Sequence, residues 1–373
     1  MGDEKETTEE KIVKLQTSFP ESSAEALLEL LISCDGDTER VKELLGVKKN
    51  GRGISVQSTL KRFMMPTAGE DERVFKRLDT GIKGKTYHVY DPDEVKKLLP
   101  CTFHLKLFPK ELADKLLQVL LKDSESWKSR EFYLFERKVK SHHTTALYAE
   151  AEGFTTKDAT YNGLPAMHVH PFSKELVEAR NIVQDIVNEE IIKRGLAKHQ
   201  YQGEWVSEIA VCNKYEGPEE TVGYHSDQMT HLGPHCVIAS VSLGATREFR
   251  LKDRHDREKS TISIHVPHNS MVIMHAGCQE EYKHSLVPTT DAITPHPISG
   301  TTRINITFRM YLDDFKTEKL PRCECNYPML LRTTIAKDHN YKYIWQCSGA
   351  YNNKIGCSKI IWPSFKENVL DTS

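Results

Sequence analysis

Apolar and polar residues alternate along short segments from Val206 onward, which is the period of a β-strand. The clearest case is the run RINITFR from Arg303 to Arg309. Because residues two apart share a face of a strand, both arginines, Asn305 and Thr307 should lie on one face and the apolar residues on the other. Successive short strands without helices between them predict a mainly β core, a double-stranded β-helix or jelly roll.

Helical periods appear outside these segments. Pro109–Leu121 and Lys174–Lys193 repeat apolar residues at helical spacing and predict supporting helices that pack on a sheet. Lys11–Leu45 shows the same spacing, interrupted by Pro20 and by the Asp35-Gly36-Asp37 cluster. We therefore expect a small N-terminal helical bundle ahead of the β core.

Composition narrows the class of protein. The formal net charge is −2, so any contact with nucleic acid must come from local basic patches. No apolar run reaches membrane-spanning length, and the acidic start MGDEKETTEE is unlike a signal peptide. Four of the nine cysteines cluster near the C-terminus, a pattern typical of a reducing compartment and one metal site. We expect a nuclear or cytoplasmic protein that does not enter a membrane.

Candidate chemistry centres on the segment NKYEGPEETVGYHSD, which runs from Asn213 to Asp227. Asn213 and Tyr215 are two residues apart, as are His225 and Asp227, so each pair shares a strand face. A His-x-Asp pair is part of the two-histidine, one-carboxylate set that leaves three positions on Fe(II) open. The missing histidine has several candidates further along the chain: His265, His268, His275 and His284.

Several motifs together resemble the AlkB family of Fe(II)/2-oxoglutarate dioxygenases, which remove alkyl groups from nucleic-acid bases by oxidation. In chain order they are NKY at 213–215, HSD at 225–227, IASVSLGATREF at 238–249, HSLVP at 284–288 and RINITFR at 303–309. The resemblance implies a catalytic domain over residues 100–316. It implies that His225, Asp227 and His284 hold the iron. It assigns 2-oxoglutarate to Asn213, Tyr215, Arg303 and Arg309.

The same resemblance implies DNA alkylation repair, with alkylated DNA as substrate. A target base must leave its stack to be oxidised, and Tyr161 is our candidate to stack on it. His142 and His143 are expected near a phosphate path. Three alternatives stay open at this point: an RNA base demethylase, a protein or small-molecule hydroxylase on the same iron site, and a non-enzymatic adaptor.

Two N-terminal segments resemble interaction modules. Residues 8–48 are similar to a CUE-type domain, which implies ubiquitin binding. The linker 49–69 contains Gln57, Leu60 and Phe63 at helical spacing and resembles a PIP box, the peptide that binds the sliding clamp PCNA. Both segments are expected to recruit partners and to leave catalysis to the β core.

The last block, residues 320–366, supplies the clustered thiols Cys323, Cys325, Cys347 and Cys357. Four thiolates close a tetrahedral structural zinc site. The block resembles a GRF-type zinc finger, and its interleaved aromatic and basic residues suit single-stranded nucleic acid. We expect an appended module whose removal leaves the catalytic core able to turn over 2-oxoglutarate.

Overall fold

A computed structural model describes most of the chain from residue 84 onward. The described ranges are 6, 8–20, 27, 31, 38–39, 41–42, 84–134, 137–150, 160–161, 164–165, 169–256, 258–289, 292–334, 341–351, 359–363 and 365. The PIP-like linker, most of the CUE-like segment and Cys357 lie outside them. The chain divides into two compact units, Met1–Val74 with Phe132–Val139, and Phe75–Glu131 with Lys140–Ser373.

The first unit begins with helix α1 (Thr8–Ser18). Apolar residues at helical spacing bury one face of this helix. The buried cluster consists of Ile12, Leu15, Leu27, Leu31 and Val41, with Phe19 packed against it. These are positions that the apolar period of the sequence predicts to face inward.

Eighteen strands follow α1 in the described residues. They are β1 (Thr86–Val89), β2 (Cys101–Leu105), β3 (Lys128–Leu134), β4 (Arg137–Ala149), β5 (Thr160–Tyr161), β6 (Leu164–Pro165), β7 (Val169–Pro171), β8 (Ile209–Tyr215), β9 (Val222–His225), β10 (Ile238–Gly244), β11 (Arg247–Asp253), β12 (Thr261–Val266), β13 (Ser270–Met274), β14 (Tyr282–Leu286), β15 (Arg303–Arg309), β16 (Met329–Thr333), β17 (Tyr343–Cys347) and β18 (Ile360–Ile361).

Two sheets form the core of the second unit. The larger one has the strand order β2-β13-β10-β15-β8-β4-β3, with β7 paired to β4, and the smaller one has the order β1-β12-β11-β14-β9. Apolar side chains of both sheets, such as Phe103 and Met274 from the larger and Leu251 and Ile264 from the smaller, meet in one buried cluster. The mainly β core predicted from the sequence is confirmed, and the paired sheets are consistent with a jelly roll.

Helices α3 (Lys110–Asp123) and α4 (Lys174–Arg194) cover the other face of the larger sheet. The shorter helices α2 (Pro92–Leu98) and α5 (Cys278–Glu281) contribute buried residues to the cluster that the two sheets share. The leucines of α3 and the apolar face of α4 share a buried cluster with Ile304, Ile306 and Phe308 of β15. Burial of each large side chain stabilises the fold by roughly 1.5–3 kcal/mol. Ser173 caps α4 by accepting a hydrogen bond from the Leu176 N–H at 3.2 Å. In the part of the chain that the structure describes, no helix has the length and apolar character needed to span a membrane.

The C-terminal sheet, with the order β16-β17-β18, packs directly on the β core. Its residues Met329, Leu331 and Trp345 belong to the same buried cluster as Met229 and Leu232, which follow β9. This differs from the appended module expected from the sequence. The apolar faces of β16 and β17 cover side chains of the segment after β9, so the C-terminal sheet and the β core share one buried cluster.

Candidate active site

The two histidines and the aspartate of the predicted iron site come together at adjacent strands of the smaller sheet. β9 and β14 are antiparallel, and their register places His225 opposite His284. The two rings lie 4.3 Å apart between centroids. The potential ligand atoms of His225, Asp227 and His284 all lie within 4.8 Å of one another. This is the geometry needed for three side chains to share one ion.

The competing histidines have other partners. His275 Nε2 lies 2.9 Å from the Thr102 hydroxyl, and His268 Nδ1 accepts a hydrogen bond from the Gly244 N–H at 3.0 Å. His265 Nε2 lies 2.9 Å from Nδ1 of His88, a residue of β1. Within the described ranges, His284 is therefore the histidine that completes the His-x-Asp group.

Protonation of the histidines suits metal binding. His225 Nδ1 lies 2.8 Å from the Gly223 carbonyl, which can only accept, so Nδ1 carries a hydrogen and Nε2 is the ring atom left to face a metal. Burial lowers the pKa of His284 to about 3, with a further lowering from nearby His225 and an opposing contribution from Asp227. His284 is neutral at physiological pH, and the neutral imidazole is the form that binds metals.

Asp227 is ionised although it is buried. Burial acts to raise its pKa, but the positive charge of Arg309 and the hydrogen bond that it donates outweigh that effect and hold the pKa below its ordinary value. Arg309 Nη2 donates to Asp227 Oδ1 at 2.7 Å. The resemblance assigns Arg309 to 2-oxoglutarate, and in the structure its guanidinium contacts the carboxylate of the metal group.

The predicted co-substrate residues lie beside this group on the larger sheet. β8 and β15 are antiparallel, with Tyr215 opposite Arg303 and Asn213 opposite Asn305. The Arg303 guanidinium carbon lies 5.5 Å from the centre of the Tyr215 ring. The alternation of β15 thus points its polar residues away from the helices, while Ile304 and its apolar neighbours face them.

Arg303 fits a buried anion. Its Nη2 donates to the Ser242 hydroxyl at 2.8 Å, while its Nε is buried without a hydrogen-bond partner. Burial lowers the pKa of Arg303 to about 10, so the guanidinium stays charged at neutral pH. A buried charge requires a counter-charge, and a carboxylate of 2-oxoglutarate supplies one. The three-ligand group and this arginine therefore fit Fe(II) and 2-oxoglutarate.

Replacing Arg303 by methionine is expected to weaken 2-oxoglutarate binding by roughly 2–5 kcal/mol, because the co-substrate carboxylate loses its buried partner. Isothermal titration in the presence of Mn(II) measures this. The matched control is Arg250→Met, because Arg250 pairs with Glu248 instead, at 2.7 Å. Unchanged affinity in Arg303→Met would place the co-substrate elsewhere. Arg309→Met is expected to lower the affinity for the metal as well, since Arg309 contacts Asp227.

The residues that the sequence suggested for nucleic-acid contact include His143 and Tyr161, which lie in different parts of the fold. The ring of His143 lies 5.0 Å from that of Tyr215, and its Nδ1 is 3.0 Å from the Thr221 carbonyl. His143 therefore borders the candidate co-substrate residues. Tyr161 lies in the two-stranded β5-β6 sheet, but its side chain is outside the described part of the structure. Its stacking role stays a prediction.

Sequence reasoning missed two residues that hold the loops of the site. Gln279 Oε1 accepts a hydrogen bond from the Asp227 N–H at 2.7 Å. Arg247 donates to the Gly217, Glu220 and Val287 carbonyls at 2.8–2.9 Å, joining the chain before β9 to the chain after β14. Gln279 has no local sequence signal, and the motif that contains Arg247 does not reveal this role, because both residues act on backbone atoms distant in sequence.

A second group of potential metal ligands lies in the C-terminal sheet region. The thiols of Cys323, Cys325 and Cys347 lie within 4.8 Å of one another. The Gly349 N–H donates to Cys347 Sγ at 3.3 Å, a contact that favours a thiolate. The fourth predicted ligand, Cys357, is outside the described residues.

Comparison with known proteins agrees with this site. Over 111 residues the chain is 30% identical to mouse "Alpha-ketoglutarate-dependent dioxygenase alkB homolog 3", a match covering 28% of this chain and 36% of that protein. Over 123 residues it is 31% identical to Arabidopsis thaliana "DNA oxidative demethylase ALKBH2", covering 27% and 37%. The chain therefore spans less than half the length of these relatives.

Among solved structures, "The structure of OsALKBH1" aligns with a TM-score of 0.41 and 15% identity, covering 57% of this chain and 98% of that one. The family model "2OG-Fe(II) oxygenase superfamily" matches residues 100–309, more than half of the 373 residues. That range contains both histidines, the aspartate and both arginines of the site. The chain belongs to the 2OG-Fe(II) oxygenase superfamily, whose members use Fe(II) and 2-oxoglutarate.

Proposed function

We propose that this oxygenase is an AlkB-type oxidative demethylase that removes N-alkyl groups from nucleic-acid bases. The observation that carries the proposal is the convergence of His225, Asp227 and His284 beside Arg303, reached by motifs in the AlkB order. The names of the mouse and Arabidopsis relatives support it, since they denote alkB homologues and a DNA demethylase. DNA is the substrate we propose first, and RNA is the alternative.

In this proposal each side chain has a defined task. His225, Asp227 and His284 hold the iron, and Arg303 and Tyr215 hold 2-oxoglutarate. The iron and its co-substrate supply the oxidation of the N-alkyl carbon. Burial of Asp227, His284 and Arg303 excludes water from the metal group and strengthens the charge interactions that orient it. Arg309 keeps Asp227 ionised and oriented.

We do not expect base choice to come from Met229 or Thr230, the second and third residues after His-x-Asp. Met229 and Thr230 are buried, and Met229 packs with Leu331 of the C-terminal sheet. Many AlkB-type enzymes carry acidic residues there, which help to define the lesion base. In this chain those two positions contact the protein interior instead.

The test is formaldehyde release from N-methylated single-stranded DNA, double-stranded DNA and RNA, assayed in parallel. We expect release from DNA that requires both Fe(II) and 2-oxoglutarate. Asp227→Ala is the inactive control. Release from RNA alone would establish the RNA alternative. Co-substrate turnover without release from any nucleic acid would favour a protein or small-molecule hydroxylase.

We also propose a structural zinc held by Cys323, Cys325, Cys347 and Cys357. Four thiolates leave no open position, so the ion should resist mild chelation that strips Fe(II). Metal analysis is expected to find about one zinc per chain. Cys325→Ser should lower the zinc content, and Cys212→Ser, a buried thiol outside the cluster, should not. If both variants contained the same amount of zinc, the assignment of Cys325 as a zinc ligand would be wrong.

Nucleic-acid contact by the C-terminal block would rest on fewer residues than the sequence suggested. Trp345 is only 8% exposed and packs near Phe315, so it is unavailable to a base. Trp362 is 63% exposed and is therefore the tryptophan that we propose to stack on a base.

Three further expectations stay predictions. They are ubiquitin binding by residues 8–48, PCNA binding through Gln57, Leu60 and Phe63, and a nuclear location. Pull-downs with each partner and imaging of the tagged protein test them.

A further inference from the structure

The segment after the iron-site aspartate is covered by the C-terminal sheet. Thr230, fully buried, accepts a hydrogen bond from the Leu331 N–H at 3.2 Å. Met229 and Leu232 share a buried cluster with Leu331 and Trp345. The backbone that leaves Asp227 is thus held between the β core and strands β16 and β17. A change in those strands would be transmitted to this segment.

Helix α5 connects the same two regions by hydrogen bonds. Gln279 and Glu280 are consecutive residues of this helix. Gln279 Oε1 accepts a hydrogen bond from the Asp227 N–H at 2.7 Å. Glu280 Oε1 accepts hydrogen bonds from the Tyr343 hydroxyl at 2.8 Å and from the His235 N–H at 2.9 Å. Gln279 and Glu280 are both 0% exposed, so water cannot replace these partners.

Arg254 provides a second connection. Its Nη1 lies 3.2 Å from the Glu280 carbonyl, 3.4 Å from the Gln279 carbonyl and 3.0 Å from the Thr333 hydroxyl of β16. Helix α5 has only four residues and makes little internal hydrogen bonding. Its position is therefore set by contacts with its surroundings, among them the Tyr343 hydroxyl and the Arg254 guanidinium, which also contacts Thr333 of the C-terminal sheet.

We propose that Gln279 and Tyr343 are positioning residues for the metal carboxylate. Tyr343 holds Glu280, and this places Gln279 to fix the backbone of Asp227. The C-terminal sheet is then a structural part of the iron site and not only a nucleic-acid module. The inference rests on the proposed assignment of Asp227 as an iron ligand.

The physical reason is the cost of leaving a buried carboxylate without donors. Removing the Tyr343 hydroxyl takes one of the two hydrogen bonds that Glu280 Oε1 accepts. A buried acceptor that loses its partner costs free energy, which α5 can recover only by moving toward another donor. Movement of α5 would lengthen the bond from Gln279 to the Asp227 N–H. Partners that orient metal ligands typically change metal affinity about 10–100-fold.

The experiment is a Mn(II) titration of the full chain, read by electron paramagnetic resonance. Mn(II) prefers carboxylate and imidazole over thiolate, so the cysteine cluster does not interfere. Gln279→Met keeps side-chain volume but removes the acceptor, and Tyr343→Phe removes one hydroxyl. The matched control is Tyr341→Phe, which removes a hydroxyl from the same region, one that contacts His235 Nε2 at 2.7 Å.

We expect Gln279→Met to weaken Mn(II) binding about tenfold or more and Tyr343→Phe to weaken it severalfold. Tyr341→Phe should bind Mn(II) like the wild type. The spectrum of bound Mn(II) should change in the first two variants, a response that loss of overall stability would not produce. Thermal unfolding confirms that each variant is folded at the titration temperature.

Wild-type affinity in both Gln279→Met and Tyr343→Phe would overturn the inference. Equal weakening in Tyr341→Phe and Tyr343→Phe would also overturn it, because the effect would then be a general loosening of the C-terminal sheet. Asp227→Ala separates this from failure of the iron assignment. If that variant bound Mn(II) as tightly as the wild type, the ligand assignment itself would be wrong.

Discussion

His284→Ala is expected to abolish Fe(II)-dependent 2-oxoglutarate turnover, and His225→Ala and Asp227→Ala should do the same. A two-histidine, one-carboxylate site has three protein ligands, and removing one leaves too few to hold the ion with the co-substrate. His284 is buried and neutral, which is the form of the imidazole that binds a metal. Succinate formation by purified, iron-loaded variants measures the effect.

His275→Ala is the matched control for this prediction. His275 is also a buried histidine, but its Nε2 contacts the Thr102 hydroxyl and not the metal group. We expect this variant to lose some stability and to keep turnover. Wild-type turnover in His284→Ala, with loss in His275→Ala, would reverse the assignment of the distal ligand.

Removing the chain from Leu320 onward is expected to destabilise the catalytic core. The truncation would expose Met229 and Leu232, which are buried against the C-terminal sheet. Exposing two large apolar side chains costs roughly 3–6 kcal/mol. Glu280 would also lose its bond from Tyr343. Because folded domains are stable by only about 5–15 kcal/mol, this loss is a large fraction of the total.

Thermal unfolding and 2-oxoglutarate turnover of the truncated chain check this expectation. We expect a lower melting temperature and a sharp loss of turnover. Deletion of residues 1–66 is the comparison, since the sequence predicts that it leaves turnover on a short oligonucleotide nearly intact. If the truncated chain kept the melting temperature and turnover of the wild type, the C-terminal block would be the appended, independent module that the sequence suggested.

Much of the site could be predicted from short-range patterns. The alternation of β15 determines which residues face inward, because side chains in a strand alternate with a period of two. The motif order brought His225, Asp227 and His284 into one hypothesis before any contact was known. Residue type and spacing alone left four histidines as candidates for the distal ligand. The β9-β14 register, which pairs His284 with His225, separates them in the structure.

The partners of buried polar groups could not be predicted in this way. Arg309 contacts Asp227 across 82 residues, and Gln279 reaches the Asp227 N–H across 52. A hydrogen bond to a backbone N–H requires only an acceptor nearby, so it imposes no recognisable spacing on the sequence.

The sequence by itself determined the strand alternation, the supporting helices and the metal-binding residue types, because these depend on local periodicity and on side-chain chemistry. Tertiary structure alone decided that β16 and β17 complete the core over Met229 and that Tyr343 contacts Glu280. An apolar strand face needs burial but does not specify the surface that buries it. That choice depends on the whole chain folding together.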